Sequence, residues 1–137
     1  MNRILMIAFA VLALTGGAAA AAERLGLELN KLEPRDGACR AYIVIENGTP
    51  TAFESLKLDL VMFDREGIVA ERLALEVGPL PAGKTSLKVF DVAGLACGQV
   101  GRVLLNEVLA CDDGTGGRDG CMDLVETSAR GGLEFIK

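Results

Sequence analysis

Apolar and polar residues alternate along most of the chain after residue 24, which is typical of strands with one buried face. In the clearest case, Leu56, Leu58, Leu60 and Met62 share one face of a predicted strand that ends at Asp64. The same period of two predicts further strands over residues 25–29, 39–46, 68–77 and 85–92.

Turn residues stand between these predicted strands. Asn47-Gly48 predicts a tight turn because both residues tolerate positive φ, and we favour this turn over use of Asn47-Gly48-Thr49 as a glycosylation sequon. Asp64 to Gly67 predicts a hairpin turn. In the strand that follows, a slip of phase near Glu71 and Arg72 indicates a β-bulge.

The C-terminal third is less regular. Residues 102–111 are apolar on both faces, which favours a central strand, although Leu104, Val108 and Cys111 also fit helical spacing. Residues 121–130 are compatible with a last strand or with a short helix. Short strands separated by turn signals indicate an all-β fold, either an antiparallel sandwich or a barrel.

The first 22 residues have the layout of a secretory signal peptide. Arg3 gives a positive start, residues 4–14 are a nearly unbroken apolar run, and a series of alanines completes the segment. This run is too short for a membrane-spanning helix, which needs about 20 apolar residues. We therefore expect a signal peptide at 1–22, one domain at 23–137, no membrane anchor after cleavage, and a periplasmic or secreted location.

The net charge of the chain argues against one class of partner, and its composition limits which residues can fill the core. The chain carries 14 Lys and Arg against 19 Asp and Glu, for a net charge of −5. An acidic domain repels phosphate backbones, so no nucleic-acid partner is expected. Aromatic residues make up only 4% of the chain, so Leu, Val and Ile must fill the core.

Four cysteines, Cys39, Cys97, Cys111 and Cys121, lie in the predicted domain. An even number in an exported domain indicates two disulfides. Three pairings are possible, and the sequence alone does not choose among them. We favour Cys111 with Cys121, because they bracket a loop rich in Gly and Asp that can fold back easily, which leaves Cys39 to pair with Cys97.

Residues 58–69, LDLVMFDREGIV, read as an apolar strand that ends in an aromatic–Asp pair, followed by an x-x-Gly turn and a return strand. Residues 80–85, LPAGKT, add a Pro-x-Gly turn before the next strand. This order resembles the small immunoglobulin-like domains of the FxLYD type in bacterial envelope proteins, over roughly residues 38–92. The resemblance implies an immunoglobulin-like antiparallel β-sandwich of about seven strands, here with a disulfide-closed C-terminal loop, and a non-catalytic role.

The whole chain is also similar to small exported proteins of alphaproteobacteria, some of which carry a twin-arginine signal label. Arg3 stands without a second arginine beside it, so an ordinary Sec signal fits this chain better. Neither resemblance carries active-site residues over to this sequence.

The chain contains no histidine, which removes the commonest general base and the commonest metal ligand. The acidic loop at 112–123 carries oxygen ligands of the type that Ca²⁺ prefers, at Asp112, Asp113, Asp119 and Asp123. The order of ligands in an EF-hand is absent, however, and Arg118 stands inside the loop as a competing charge. We therefore expect no catalytic residue, no metal site and no cofactor.

A partner-binding patch is the second candidate site. Tyr42 and Val44 on one predicted strand would join Val61 and Phe63 on the next if those strands pair, and an outward apolar patch can bind a protein. The alternatives are that the C-terminal segment covers these residues or that they face the core.

The sequence thus favours a non-enzymatic periplasmic domain that binds a protein of the cell envelope or supports an envelope assembly. Two other functions stay open. One is an exported protein that binds a small ligand or calcium through the 112–123 loop, and the other is a hydrolase that uses only carboxylates.

Overall fold

The computed structural model describes Gly17 and residues 23–137, so the predicted signal peptide lies outside the described residues apart from Gly17. Eight strands form most of the described chain: β1 (Leu25–Arg35), β2 (Ala38–Asn47), β3 (Ser55–Asp64), β4 (Val69–Glu76), β5 (Thr85–Ala93), β6 (Val100–Asp112), β7 (Val125–Ala129) and β8 (Phe135–Ile136). A 3-10 turn at Cys97–Gln99 and one turn of α-helix, α1 (Cys121–Leu124), lie between strands.

The strands form two four-stranded sheets that pack as a sandwich. Sheet 1 has the order β5-β2-β1-β7, and sheet 2 has the order β4-β3-β6-β8. The second strand lies between the first and the fifth, and the third lies beside the sixth, as in immunoglobulin-like sandwiches. The predicted fold class is confirmed, with eight strands and with two parallel pairings, β1 with β7 and β6 with β8.

The core lies between the sheets and is built from the alternating positions of the strands. In β2 and in residues 25–29 of β1 every second residue is buried, and in β3 the leucines of the 56–60 segment and Met62 face the same core. Phe53 and Leu80 from connecting segments and Phe135 from β8 complete it. Burial of such aliphatic and aromatic side chains contributes about 1.5–3 kcal/mol each and is the main force that holds the two sheets together.

Residues 102–111 belong to a strand, as favoured, and not to a helix. The register of β6 against β3 shifts at Asn106 and again at Leu109, so each of these residues is an extra residue in a bulge. Core-facing Leu105, Val108 and Cys111 are consequently three residues apart. Two bulges therefore give a spacing of three residues that also fits a helix, whereas Leu104 lies on the opposite face, across from Val61.

The remaining local predictions have mixed outcomes. The hairpin turn at Asp64–Gly67 is present, and its Gly67 has a φ of +81°. The bulge in β4 is also present, at Ala70, just before the predicted position. Residues 121–130 contain both structures that the sequence left open, since α1 is followed directly by β7.

The tight turn predicted at Asn47-Gly48 is wrong. Asn47 ends β2 with its side chain buried, and no non-glycine residue in the described part of the chain has a positive φ. Its amide nitrogen donates to the carbonyl of Thr51 at 2.8 Å and to that of Leu80 at 3.2 Å, while its oxygen accepts from the Thr49 hydroxyl at 2.7 Å. Asn47 therefore fixes a crossover from sheet 1 to sheet 2.

Candidate functional site

Two disulfides join the ends of strands to the connecting segments. Cys39 of β2 pairs with Cys97 in the 3-10 turn, and Cys111 of β6 pairs with Cys121 at the start of α1. This is the pairing that the sequence favoured. The sequence separations are 58 and 10 residues. For loops of these lengths, chain entropy in the unfolded state gives stabilisation of about 4 and about 2.7 kcal/mol.

The acidic loop after β6 uses its first carboxylates to hold its own backbone. Asp112 accepts the N–H groups of Gly114 and Gly116, and Asp113 accepts both the N–H and the hydroxyl of Thr115. Arg118 lies 3.8 Å from the Asp113 carboxylate. Within residues 23–137, no group of three or more acidic or cysteine side chains is arranged to hold a metal ion.

A cavity of about 800 Å³ lies between the end of β6 and the segment 117–122. Val108, Leu109 and Met122 contribute apolar surface to it, and Glu107, Asp112 and Asp119 contribute carboxylates. The disulfide from Cys111 to Cys121 closes one end, so a covalent bond fixes the distance between the two walls. Sequence reasoning missed this cavity because only the fold brings α1 beside β6.

The predicted partner-binding patch is divided between the two sheets. Tyr42 and Val44 lie in β2 on the outer face of sheet 1, whereas Val61 and Phe63 lie in β3 on the outer face of sheet 2. The prediction of one patch was wrong because β2 and β3 are joined by the crossover at Asn47 and do not pair.

A different apolar surface forms around the first half of the predicted patch. In β5, Val89 pairs with Tyr42 and Leu87 pairs with Val44. Leu87 is 60% exposed and Val89 is 40% exposed, while Tyr42 and Val44 are half-buried. We call these four residues the apolar stripe. They run along the edge of sheet 1, because β5 pairs only with β2 among the described strands.

Charged and polar groups border the apolar stripe. At one end Arg40 donates to both carboxylate oxygens of Asp91, at 2.7 and 3.0 Å. On the β1 side, the Tyr42 hydroxyl donates to Glu33 at 3.3 Å, and the ammonium group of Lys31 lies 5.3 Å from the centre of the Tyr42 ring. The aromatic ring is thereby held in place next to the exposed aliphatic residues.

The outer face of sheet 2 is organised around a carboxylate. Asp59 is only 3% exposed, and Arg72 and Asn106 donate three hydrogen bonds to it, which hold its pKa at about 2. Nearby, Arg102 stacks on the ring of Phe63, with its guanidinium carbon 5.0 Å from the ring centre. This half of the predicted patch is therefore largely engaged in contacts within the sheet.

The pKa shifts of the carboxyl groups are relevant to the alternative of a hydrolase that uses only carboxylates. In addition to Asp59, the pKa is lowered by a side-chain hydrogen bond at Glu28 beside Asn30, Glu33 beside Lys31, Asp91 beside Arg40 and Asp113 beside Thr115. A glycoside hydrolase needs a carboxylic acid with a raised pKa as the proton donor. At these five groups the pKa is lowered, which is the opposite of what a proton donor requires.

The fold is similar to that of a protein of known structure, IrmA from Escherichia coli. The TM-score is 0.59 with 12% sequence identity, over 77% of this chain and 92% of IrmA. At this identity the similarity concerns the fold alone, and it shows a small β-sandwich domain. No protein-family model matches the chain, so the FxLYD resemblance stays a prediction, and no curated protein matches it.

Among the residues that the structure describes, no helix has the length and apolar character needed to cross a bilayer.

Proposed function

We propose that this chain is an exported, non-enzymatic protein-binding domain that contacts its partner through the apolar stripe. The proposal rests on one observation. Leu87 and Val89 lie beside Tyr42 and Val44 on one outer face, at an edge of sheet 1 that no other described strand covers. Exposed aliphatic side chains that adjoin one another, unlike scattered ones, are typical of interaction surfaces. The partner is a protein of the cell envelope with a complementary apolar surface.

The composition of this face agrees with that role. Interfaces place apolar and aromatic residues at their centre and polar residues at their rim, and tyrosine is enriched among the residues that dominate binding energy. Here Tyr42 lies within the stripe, and the Arg40–Asp91 ion pair and Glu33 lie beside it. Tyr42 is already held by its neighbours, so little side-chain entropy is lost when a partner binds.

Export rests on three features. The first 22 residues have the layout of a signal peptide, both disulfides are typical of oxidising compartments, and the FxLYD resemblance is to proteins of the bacterial envelope. We place the domain in the periplasm or outside the cell.

A charge-insertion experiment tests the surface. The double variant Leu87→Glu/Val89→Glu places two carboxylates on the stripe, and the matched control Ile68→Glu/Val69→Glu places two carboxylates at the β3–β4 turn. The control residues are 63% and 57% exposed, so both variants change net charge equally at exposed aliphatic sites. Affinity capture of each tagged protein from the cell envelope, followed by mass spectrometry, compares their partners.

We expect the wild-type chain and the control to enrich the same protein and the stripe variant to lose it, with circular dichroism spectra unchanged. Equal recovery by both variants would place the interface elsewhere. Failure of the wild-type chain to enrich any protein over an untagged strain would argue against a binding function.

A further inference from the structure

One edge of β6, inside sheet 2, is paired over only a short part of its length among the described strands. β6 pairs with β3 along its whole length, but on its other side β8 reaches only Val103 and Leu104. From Asn106 to Ala110, no described strand pairs with this second edge. Unpaired edges of this kind can accept an additional strand from another chain.

The register shows which backbone groups point to this edge. The N–H of Val103 donates to Glu134 on the side away from β3, and the carbonyl of Cys111 accepts from Arg118 on that same side. Leu105 and Val108 have the same phase as these two residues, since all four lie opposite alternate residues of β3. The N–H and C=O groups of Val108 therefore point into the cavity beside α1, whereas the N–H of Leu105 faces the end of β8.

The cavity offers surfaces for alternating side chains. Its inner part is lined by Val108 and Met122, which also pack against the core, and Leu109 is 46% exposed at its wall. Glu107 lies opposite Asp59, on the outer face of the sheet. A strand added here would direct one set of side chains toward apolar residues and the other toward the outer, acidic side.

The charges that border the cavity are mostly negative. Glu107, Asp112 and Asp119 line it, and Arg118 is the basic residue of its lining. Arg118 is already engaged, because it lies 3.8 Å from Asp113 and stacks 5.6 Å from the ring centre of Phe53. A segment with basic side chains on one face complements this border.

We propose that the edge of β6 binds a short, extended peptide segment of a protein partner, with basic and apolar residues in alternation, as an added strand. The bulges at Asn106 and Leu109 limit regular pairing to a few residues. The Cys111–Cys121 disulfide keeps α1 at the distance that leaves room for the segment. This site lies on sheet 2, so it is independent of the apolar stripe on sheet 1.

The test uses two synthetic octapeptides, (Lys-Val)₄ and (Glu-Val)₄, both acetylated and amidated. Each is titrated to about 1 mM into the oxidised, ¹⁵N-labelled protein, and amide shifts are followed by NMR. We expect (Lys-Val)₄ to shift the amides of Val108 and Met122, and (Glu-Val)₄ to leave them unmoved. Absence of shifts at these amides with (Lys-Val)₄, or equal shifts with both peptides, would overturn the proposal.

Methylation of peptide amides tests strand addition without altering the protein. In an added strand, alternate peptide N–H groups face β6 and the others face away. N-methylation of the set that faces β6 should abolish the shifts, whereas methylation of the other set should preserve them. Equal effects of the two methylated peptides would show contact without strand pairing and would overturn the proposal.

A pair of charge variants tests whether the acidic residues at the border of the cavity contribute to peptide binding. Glu107→Lys changes a carboxylate at the cavity, and Glu66→Lys makes the same change of net charge in the distant β3–β4 turn. We expect binding of (Lys-Val)₄ to weaken about tenfold in Glu107→Lys and to change less than twofold in Glu66→Lys. Equal weakening in both variants would show a net-charge effect and would contradict the proposed site.

Discussion

The guanidinium of Arg72 forms two hydrogen bonds with the carboxylate of Asp59, Nε to Oδ1 at 2.9 Å and Nη2 to Oδ2 at 2.7 Å, across neighbouring strands of sheet 2. Asn106 donates a third hydrogen bond, to Oδ2 at 2.7 Å, from the bulge in β6. A carboxylate at the centre of an outer sheet face is thus linked to both neighbouring strands.

This arrangement makes stability depend on pH. The hydrogen bonds from Arg72 and Asn106 lower the pKa of Asp59 from 3.8 to about 2. A lowered pKa in the folded state gives stability that is present above pH 4 and is lost as pH falls toward 2. Asp59→Asn should therefore melt at a lower temperature than the wild-type chain at pH 7, and the difference should shrink between pH 4 and pH 2. A difference that is independent of pH would contradict the ionised pair.

The buried amide of Asn47 gives a second prediction. Asn47→Ala removes hydrogen bonds to the carbonyls of Thr51 and Leu80 and leaves the buried backbone N–H of Thr49 without its acceptor. We expect a loss of about 2–3 kcal/mol in the free energy of unfolding, measured by urea denaturation. Asn30→Ala is the control, since exposed Asn30 donates only to the side chain of Glu28, and its expected change is under about 0.5 kcal/mol. Similar losses in both variants would be inconsistent with this role for Asn47.

Gly101 gives a third prediction, at the start of β6. A Cβ on Gly101 would lie 2.9 Å from the carbonyl carbon of Asp64 and closer still to its oxygen, so Gly101→Ala forces β6 away from β3. We expect a destabilisation of about 1–3 kcal/mol. Gly98→Ala is matched to it, because a Cβ on Gly98 meets no atom within 4 Å, and should leave the melting temperature nearly unchanged. Tolerance of Ala at position 101 would show that this contact is loose.

The sequence was sufficient for β1 to β6 because each of these strands has a local signal. Period-two alternation located β2 to β5 to within a few residues and the first part of β1, and the apolar residues 102–111 located β6. The favoured disulfides also followed from local reasoning, because the short loop between Cys111 and Cys121 can close easily.

The arrangement of the strands could not be predicted in the same way. β2 pairs with β5, and β3 pairs with β6, over separations of about 45 residues that leave no local pattern in the sequence. The predicted patch required β2 and β3, which are adjacent in sequence, to pair, and Asn47-Gly48 favours such pairing because it is typical of hairpin turns. The divided patch, the apolar stripe and the cavity beside α1 all depend on this long-range pairing.

The binding function of the apolar stripe is tested most directly by photo-crosslinking in living cells. p-Benzoylphenylalanine is placed at position 87 in the stripe and, as a control, at position 69, where Val69 is 57% exposed. We predict a discrete crosslinked product of higher mass from position 87 and none from position 69. The absence of a product at position 87, or the same product at both positions, would contradict binding through this face.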